Sequence, residues 1–239
     1  MKEISDRNAV SDRMRFFLGA GRFENGIPFI MRETGLKGVR SGMKEERAGI
    51  RPNLTECFLG TDLIVLETER LILRKMLPSD FRAMSQFLSD PEVMKHYPHP
   101  MDEKEVRHWI AVNRERYRNF GFGLWAVVLK STNEVIGDAG LSIQNIHDIL
   151  KPEIGFHIRQ DCQKKGYASE AAGAVLNWTF EHTPFPRVFS YMKKENEASQ
   201  ATARSINMKC LEEYMDAQNH PVCVYGISRE EWQKAEGNK

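Results

Sequence analysis

Glu153-Ile154-Gly155-Phe156-His157-Ile158, a short bridge, and then Gln163-Lys164-Lys165-Gly166-Tyr167-Ala168 lead into an alanine-rich stretch that runs to Phe180. The first run suits a strand, and the alanine-rich stretch suits a helix beginning near Ala168. A glycine-containing cationic loop therefore joins a strand to a helix start. Helix starts carry free N–H groups and the positive dipole end, so they stabilise anionic oxygens such as those of a pyrophosphate. Gly166 and Ala168 keep the backbone bare, and Lys164 and Lys165 add positive charge. The plain alternative is an ordinary helix start with two solvated lysines.

Downstream, Val188 to Met192 reads as a strand, Ser199 to Met208 as a helix and Val222 to Ile227 as a closing strand. Ser228 with Glu231 marks a last helical turn. Upstream, Leu124 to Leu129, a polar turn at Ser131 to Glu134, and Val135 to Ile143 read as an antiparallel hairpin. Gly137 and Gly140 within it point to a bulge or a close backbone approach. Asp102 with Glu105 forms a capping-box pattern ahead of the stripe Val106, Trp109, Ile110, Asn113 and Tyr117. A further helix starts at Pro78-Ser79-Asp80, carries Phe81, Met84, Phe87 and Leu88 on one face, and stops at Asp90-Pro91. Ile64-Val65-Leu66 and Leu71-Ile72-Leu73 supply the first strands. Adjacent hairpins together with one strand-loop-helix-strand crossover imply a single α/β (α+β) domain. Trp109, Trp125, Trp178 and Phe180 read as core.

The domain is expected over residues 62–239, preceded by a poorly ordered extension, 1–61, rich in Gly and Arg with one apolar patch at Met14 to Leu18. A docking segment, or a true start near Met43 or later, are the other readings of that extension. With 34 Lys+Arg against 33 Asp+Glu the net charge is +1, so composition does not favour a nucleic-acid partner. Cys57, Cys162, Cys210 and Cys223 are scattered without a CxxC pair, which suits a reducing compartment and argues against a zinc site. No apolar run reaches membrane length and Met1 to Arg7 lacks a signal-peptide core, so a cytoplasmic protein without a membrane partner is expected.

Taken together, Glu67-Thr68-Glu69-Arg70-Leu71-Ile72-Leu73-Arg74, Gly137-Asp138-Ala139-Gly140-Leu141, Glu153 to Ile158, Gln163 to Ala168 and Asn196-Glu197-Ala198-Ser199 resemble the GNAT acetyltransferases, within them the RimJ/RimL-like N-acetyltransferases. The resemblance spans Leu66 to Trp232. It implies a GNAT fold: a mostly antiparallel mixed sheet with a central splayed strand pair, flanked by helices. It also implies acetyl-CoA as donor, no metal, and a primary amine as acceptor, on a protein N-terminus or a small molecule. A homodimer is left open.

On this resemblance the backbone of Gln163, Lys164, Lys165, Gly166, Tyr167 and Ala168 would hold the pyrophosphate. Phe156, His157 and Ile158 would pair with the pantetheine arm as an added strand would, and a backbone N–H there could polarise the thioester carbonyl. His157 could instead act as a base, or simply pack. Asn196 would contact the pantetheine and Ser199 the thiol, or Ser199 would only cap its helix. An ammonium acceptor must lose a proton before attack, so a carboxylate is sought. Glu153 is the first candidate, with Glu213 and Asp216 behind it and Tyr214 as proton donor. Lys95-His96-Tyr97-Pro98-His99-Pro100 corresponds to the variable acceptor-side loop. Asn207 stands where the family commonly has Gly, which makes the end of that helix the place to inspect. The alternatives of another class are an acyl-CoA-binding sensor without turnover, and a nucleic-acid or ribosome binder using the N-terminal arginines.

Overall fold

The computed structural model describes residues 63–237; the extension expected over 1–61 lies outside the described residues. Eight strands form one sheet in the order β1-β2-β3-β4-β5-β6-β8-β7. They are β1 (Ile64–Glu67), β2 (Leu71–Arg74), β3 (Leu124–Leu129), β4 (Glu134–Ile146), β5 (Ile149–Ile158), β6 (Arg187–Lys193), β7 (Lys209–Met215) and β8 (Pro221–Ser228). The helices are α1 (Phe81–Leu88), α2 (Glu103–Phe120), α3 (Tyr167–His182), α4 (Glu197–Ser205) and α5 (Arg229–Glu236). Every neighbouring strand pair is antiparallel except β5 and β6.

Alternation along β3 shows how the layers form, because successive side chains point to opposite faces of a sheet. Trp125 and Val127 join the core against Ala171, Ala172, Val175 and Leu176 of α3. Leu124, Ala126 and Val128 join the opposite core with Met84, Phe87, Val106 and Ile110 from α1 and α2. One buried ion pair stands beneath the α1 side: Arg74 grips Asp80 through two 2.7 Å bonds, and Asp80 also accepts the Leu77 amide.

Most sequence signals have direct counterparts. Asp102 and Glu105 form both halves of the capping box that starts α2. The β3–β4 register slips beside Val127, as the glycines of β4 suggest. A Cβ at Gly137 would lie 2.2 Å from the His157 carbonyl oxygen, and one at Gly140 2.1 Å from that of Gly123, so glycine is required for strand contact. Asn207 adopts φ 63°. With Met208 N–H reaching Ala203 O and Asn207 N–H reaching Arg204 O, it closes α4 as a Schellman motif, three residues earlier than the sequence pattern suggests.

Three features differ from the sequence reading. β4 and β5 are longer and joined by a tight His147-Asp148 turn, both residues left-handed at φ 55° and 59°. β7 is an additional edge strand on β8, and α5 extends from a single expected turn to Glu236.

Candidate active site

The site forms where the sheet comes apart. β5 and β6 share one register pair, Glu153 with Phe189, and diverge beyond it. The Arg159 amide donates to Ile136 O, so the alternation of antiparallel pairing turns residues 157, 155 and 153 toward β4 and residues 154, 156 and 158 toward the gap. Two carbonyls on the gap side are already engaged: Ile154 O by the Ser190 hydroxyl at 3.2 Å and Ile158 O by the Gln163 side chain at 3.0 Å. The Phe156 peptide groups and the Ile158 N–H face the opening. The backbone of His157, expected among the pantetheine contacts, is directed to β4.

Below the gap, Gly166 caps α3 with φ 84°, and Lys164 is also left-handed at φ 59°. The first-turn amides of Tyr167, Ala168 and Ser169 have no intrahelical acceptor. Arg70, outside the sequence candidates, braces this loop. Its guanidinium donates to Lys165 O at 3.0 Å and to Glu170 at 2.6 Å, and lies 4.6 Å from the centre of the Tyr167 ring. Thr68 and the Arg70 amide complete the grip on Glu170, whose carboxyl their hydrogen bonds hold below its usual range despite partial burial.

Glu153 stands at the apex of the gap. Its carboxylate accepts from the Ser142 hydroxyl at 3.1 Å, and burial pushes its proton affinity above the ordinary carboxylate range against the Ser142 and Tyr191 hydrogen bonds and the pull of His157 and Arg116. The other acids expected as bases are committed elsewhere. Glu213 pairs with Lys194 at 2.5 Å on the surface, and Asp216 accepts the Gln218 and His220 amides in the β7–β8 turn. Tyr214 accepts the His147 amide and stacks on the His147 ring at 4.5 Å, tying β7 to the β4–β5 turn. Asn196 caps α4 by accepting the Ser199 amide at 3.1 Å; Ser199 is the third helical residue and not the cap, and its side chain is half-buried.

The His157 side chain is buried in a line of polar contacts. Nδ1 lies 2.7 Å from Asp138 of β4, and Nε2 lies 2.7 Å from the Tyr97 hydroxyl. Trp109 of α2 donates its indole N–H to the second Asp138 oxygen at 2.8 Å, so it is more than core. Tyr97 belongs to the loop Lys95 to Pro100, and its neighbour His96 meets Glu195, beyond β6, at 3.3 Å. The loop therefore spans from β5 to the β6–α4 connection. A signal for this cluster exists in the sequence: Asp138 is a lone charge inside the apolar run Val135 to Leu141.

A family model described as an acetyltransferase (GNAT) domain matches residues 70–209. The uncharacterized protein YkkB of Bacillus subtilis (strain 168) is 31% identical over 164 residues, covering 67% of this chain and 93% of YkkB. A crystal structure of a GNAT-family acetyltransferase from Bacillus anthracis superposes with a TM-score of 0.61 at 26% identity, over 71% of this chain and 99% of that one. RimL, described as a ribosomal L7/L12 α-N-protein acetyltransferase in complex with coenzyme A, shares the fold at a TM-score of 0.58 and 19% identity, over 69% of this chain and 97% of that one. The splayed sheet and its loop are thus those of an acyl-transferring enzyme. The chain belongs to the GNAT family and is an N-acetyltransferase.

Among the described residues no helix is long and apolar enough to cross a membrane, and no group of three or more His, Cys, Asp or Glu side chains could hold a metal ion.

Proposed function

We propose that the protein transfers the acetyl group of acetyl-CoA directly to a primary amine, of a protein N-terminus or a small molecule, as a RimJ/RimL-like enzyme. The observation that carries this reading is the gap between β5 and β6, with a half-buried, desolvated carboxylate of raised proton affinity at its apex and a helix start at its mouth. The residues fit the donor. The left-handed Gly166 and the bare first-turn amides suit a pyrophosphate, and the Phe156 peptide groups face the space a pantetheine arm would take. Gln163 holds the loop to β5 through Ile158, while Lys164 and Lys165 supply charge. When bound, acetyl-CoA supplies an acyl carbon activated as a thioester.

The rest is the work of this chain. Glu153 takes a proton from the ammonium so that a neutral amine can attack, and its burial raises its basicity toward the operating pH. In this reading Ser199, half-buried in the first turn of α4, hydrogen-bonds the departing sulfur and Tyr214, which also accepts the His147 amide, is the proton donor. The acetyltransferase domain is assigned to residues 62–239.

Thiol release from acetyl-CoA, followed with a panel of amines including peptides with free N-termini, tests the reading. Amine-dependent release with formation of the acetylated amine is the expected result. Tight acetyl-CoA binding without release for any amine would establish an acyl-CoA-binding module in its place. Removal of residues before Leu63 should leave turnover intact.

A further inference from the structure

Asp138, His157 and Tyr97 form a continuous hydrogen-bonded line from the buried interior of the sheet to the surface of the acceptor-side loop. Asp138 is fully buried and His157 nearly so, whereas Tyr97 as a residue is 43% exposed. The direction of the line follows from donor chemistry. An indole N–H can only donate, so Asp138 meets Trp109 as an acceptor, and its second oxygen is an acceptor for Nδ1–H of His157. In the neutral imidazole with its proton on Nδ1, Nε2 carries a lone pair that can accept the Tyr97 O–H across the 2.7 Å contact. The histidine is oriented by a buried carboxylate on one side and polarises a hydroxyl on the other, which is the logic of a relay triad with tyrosine in the outer position.

Acetylating an ammonium removes two protons from one nitrogen, one ending on the thiol and one in solvent. Glu153 provides one acceptor. We propose that Tyr97 is the second, a catalytic proton relay backed by His157 and Asp138 as positioning residues. The inference rests on the amine-acetylation reading above. In the relay step an N–H bond of the acceptor breaks as an O–H bond forms on Tyr97, while the Tyr97 O–H proton moves to Nε2 of His157. The resulting imidazolium is paired with the Asp138 carboxylate; once the product has left, Nε2 returns its proton to the Tyr97 oxygen as that hydroxyl gives up the proton taken from the amine to water, which restores the starting state.

The groups around this line suit the task. Glu153 on β5 and Asp138 on β4 act on Tyr97 by their charge, and burial of the hydroxyl end first, then those charges, push the phenol well above its ordinary range. Free ionisation of Tyr97 is thereby opposed, and proton transfer through it must be concerted with His157. Arg116 of α2 and Tyr191 of β6 face Glu153, and Tyr117 of α2 faces Asp138. Trp109 presents its ring edge to His157 at 5.9 Å and fills the remaining side. The same loop also reaches the β6–α4 connection, where His96 meets Glu195 at 3.3 Å.

Tyr97→Phe removes only the hydroxyl. In the full-length protein, with whichever amine shows turnover, kcat should fall by about tenfold or more at pH 7 with acetyl-CoA affinity unchanged. The deficit should shrink as pH rises toward that of the free amine, because a neutral acceptor and hydroxide then need the relay less. In the Tyr97→Phe background, His157→Gln should add little further loss. Nitrogen-15 NMR of the wild-type imidazole supplies a readout independent of turnover, expected to show the Nδ1–H tautomer with a hydrogen-bonded Nε2 that is released in Tyr97→Phe. An Nε2–H tautomer would overturn the relay. So would an active enzyme whose Tyr97→Phe variant keeps its kcat, or loses the same factor at every pH. A wild-type protein that binds acetyl-CoA but acetylates no amine overturns the functional reading itself, and the relay with it.

Discussion

On the proposed function the gap has a donor side and an acceptor side, and the two are built from different materials. The donor side is mostly backbone: the left-handed Gly166, the first-turn amides of α3 and the gap-facing peptide groups of β5. The acceptor side is side chains converging from separate elements: Tyr97 from a loop, Trp109 and Arg116 from α2, Asp138 from β4, Glu153 and His157 from β5. A ligand part that never varies can be met by conformation, which tolerates substitution at exposed side chains. Proton transfer requires particular functional groups, and these need a supporting shell. The donor side should therefore respond to changes in backbone conformation, and the acceptor side to the loss of single atoms.

The sharpest test of the donor side is Gly166→Glu. A non-glycine residue at φ 84° is strained, and its Cβ would lie 3.3 Å from Arg70 while its carboxylate repelled the pyrophosphate. Acetyl-CoA affinity should fall by about 100-fold or more, near 3 kcal/mol, in a calorimetric titration. The fold should persist with a strain cost of about 1–2 kcal/mol in thermal melting. Unchanged affinity would refute the loop assignment.

On the acceptor side, Glu153→Gln should lower kcat by about 100-fold with acetyl-CoA affinity preserved. The wild-type rate should rise with pH through a carboxyl group titrating above the ordinary range, and the variant should lack that limb. Because the folded state raises this pKa, it binds the proton more tightly than the unfolded chain. Wild-type stability is thus favoured at low pH and lost as pH rises from the ordinary carboxylate value through the raised one. Urea titrations at several pH values should show that decline flattened in Glu153→Gln.

Trp109→Phe keeps the ring edge but strips a donor from buried Asp138, at a cost of about 1–3 kcal/mol. Melting should drop by several degrees and turnover should fall through a less fixed His157, with acetyl-CoA binding spared. The smallest effect is expected for Lys165→Ala. Only an exposed charge is lost there, since it is the Lys165 carbonyl that holds Arg70, so acetyl-CoA affinity should weaken about threefold and the difference should vanish in high salt. A large effect of Lys165→Ala would break the contrast between the two sides.

Legibility in the sequence follows the same division. The donor loop could be read because strand, glycine loop and helix are contiguous and each has its own local signal. β7 could not, since Lys209 to Met215 is an exposed edge strand whose residues lack apolar alternation. The β4–β5 turn was hidden because His147-Asp148 takes left-handed angles without glycine, and Pro152 sits inside β5 opposite Ile143. Glu153 was legible as a candidate by its place on the strand, but not as the one of the three candidate acids whose carboxyl is desolvated, because Glu213 and Asp216 differ from it only in their surroundings.

By itself the sequence determined the order of the elements other than β7, the capping of α2 and α5 and the loop at the start of α3. All of these arise from contacts between residues a few positions apart, where spacing is information. The tertiary structure decided which peptide groups of β5 face the gap, which carboxylate is desolvated, and that Tyr97, Asp138 and His157 meet although 41 residues separate the first two and 19 the last two. Those outcomes depend on strand register and on burial, and both are properties of the assembled sheet that no local stretch of the chain encodes.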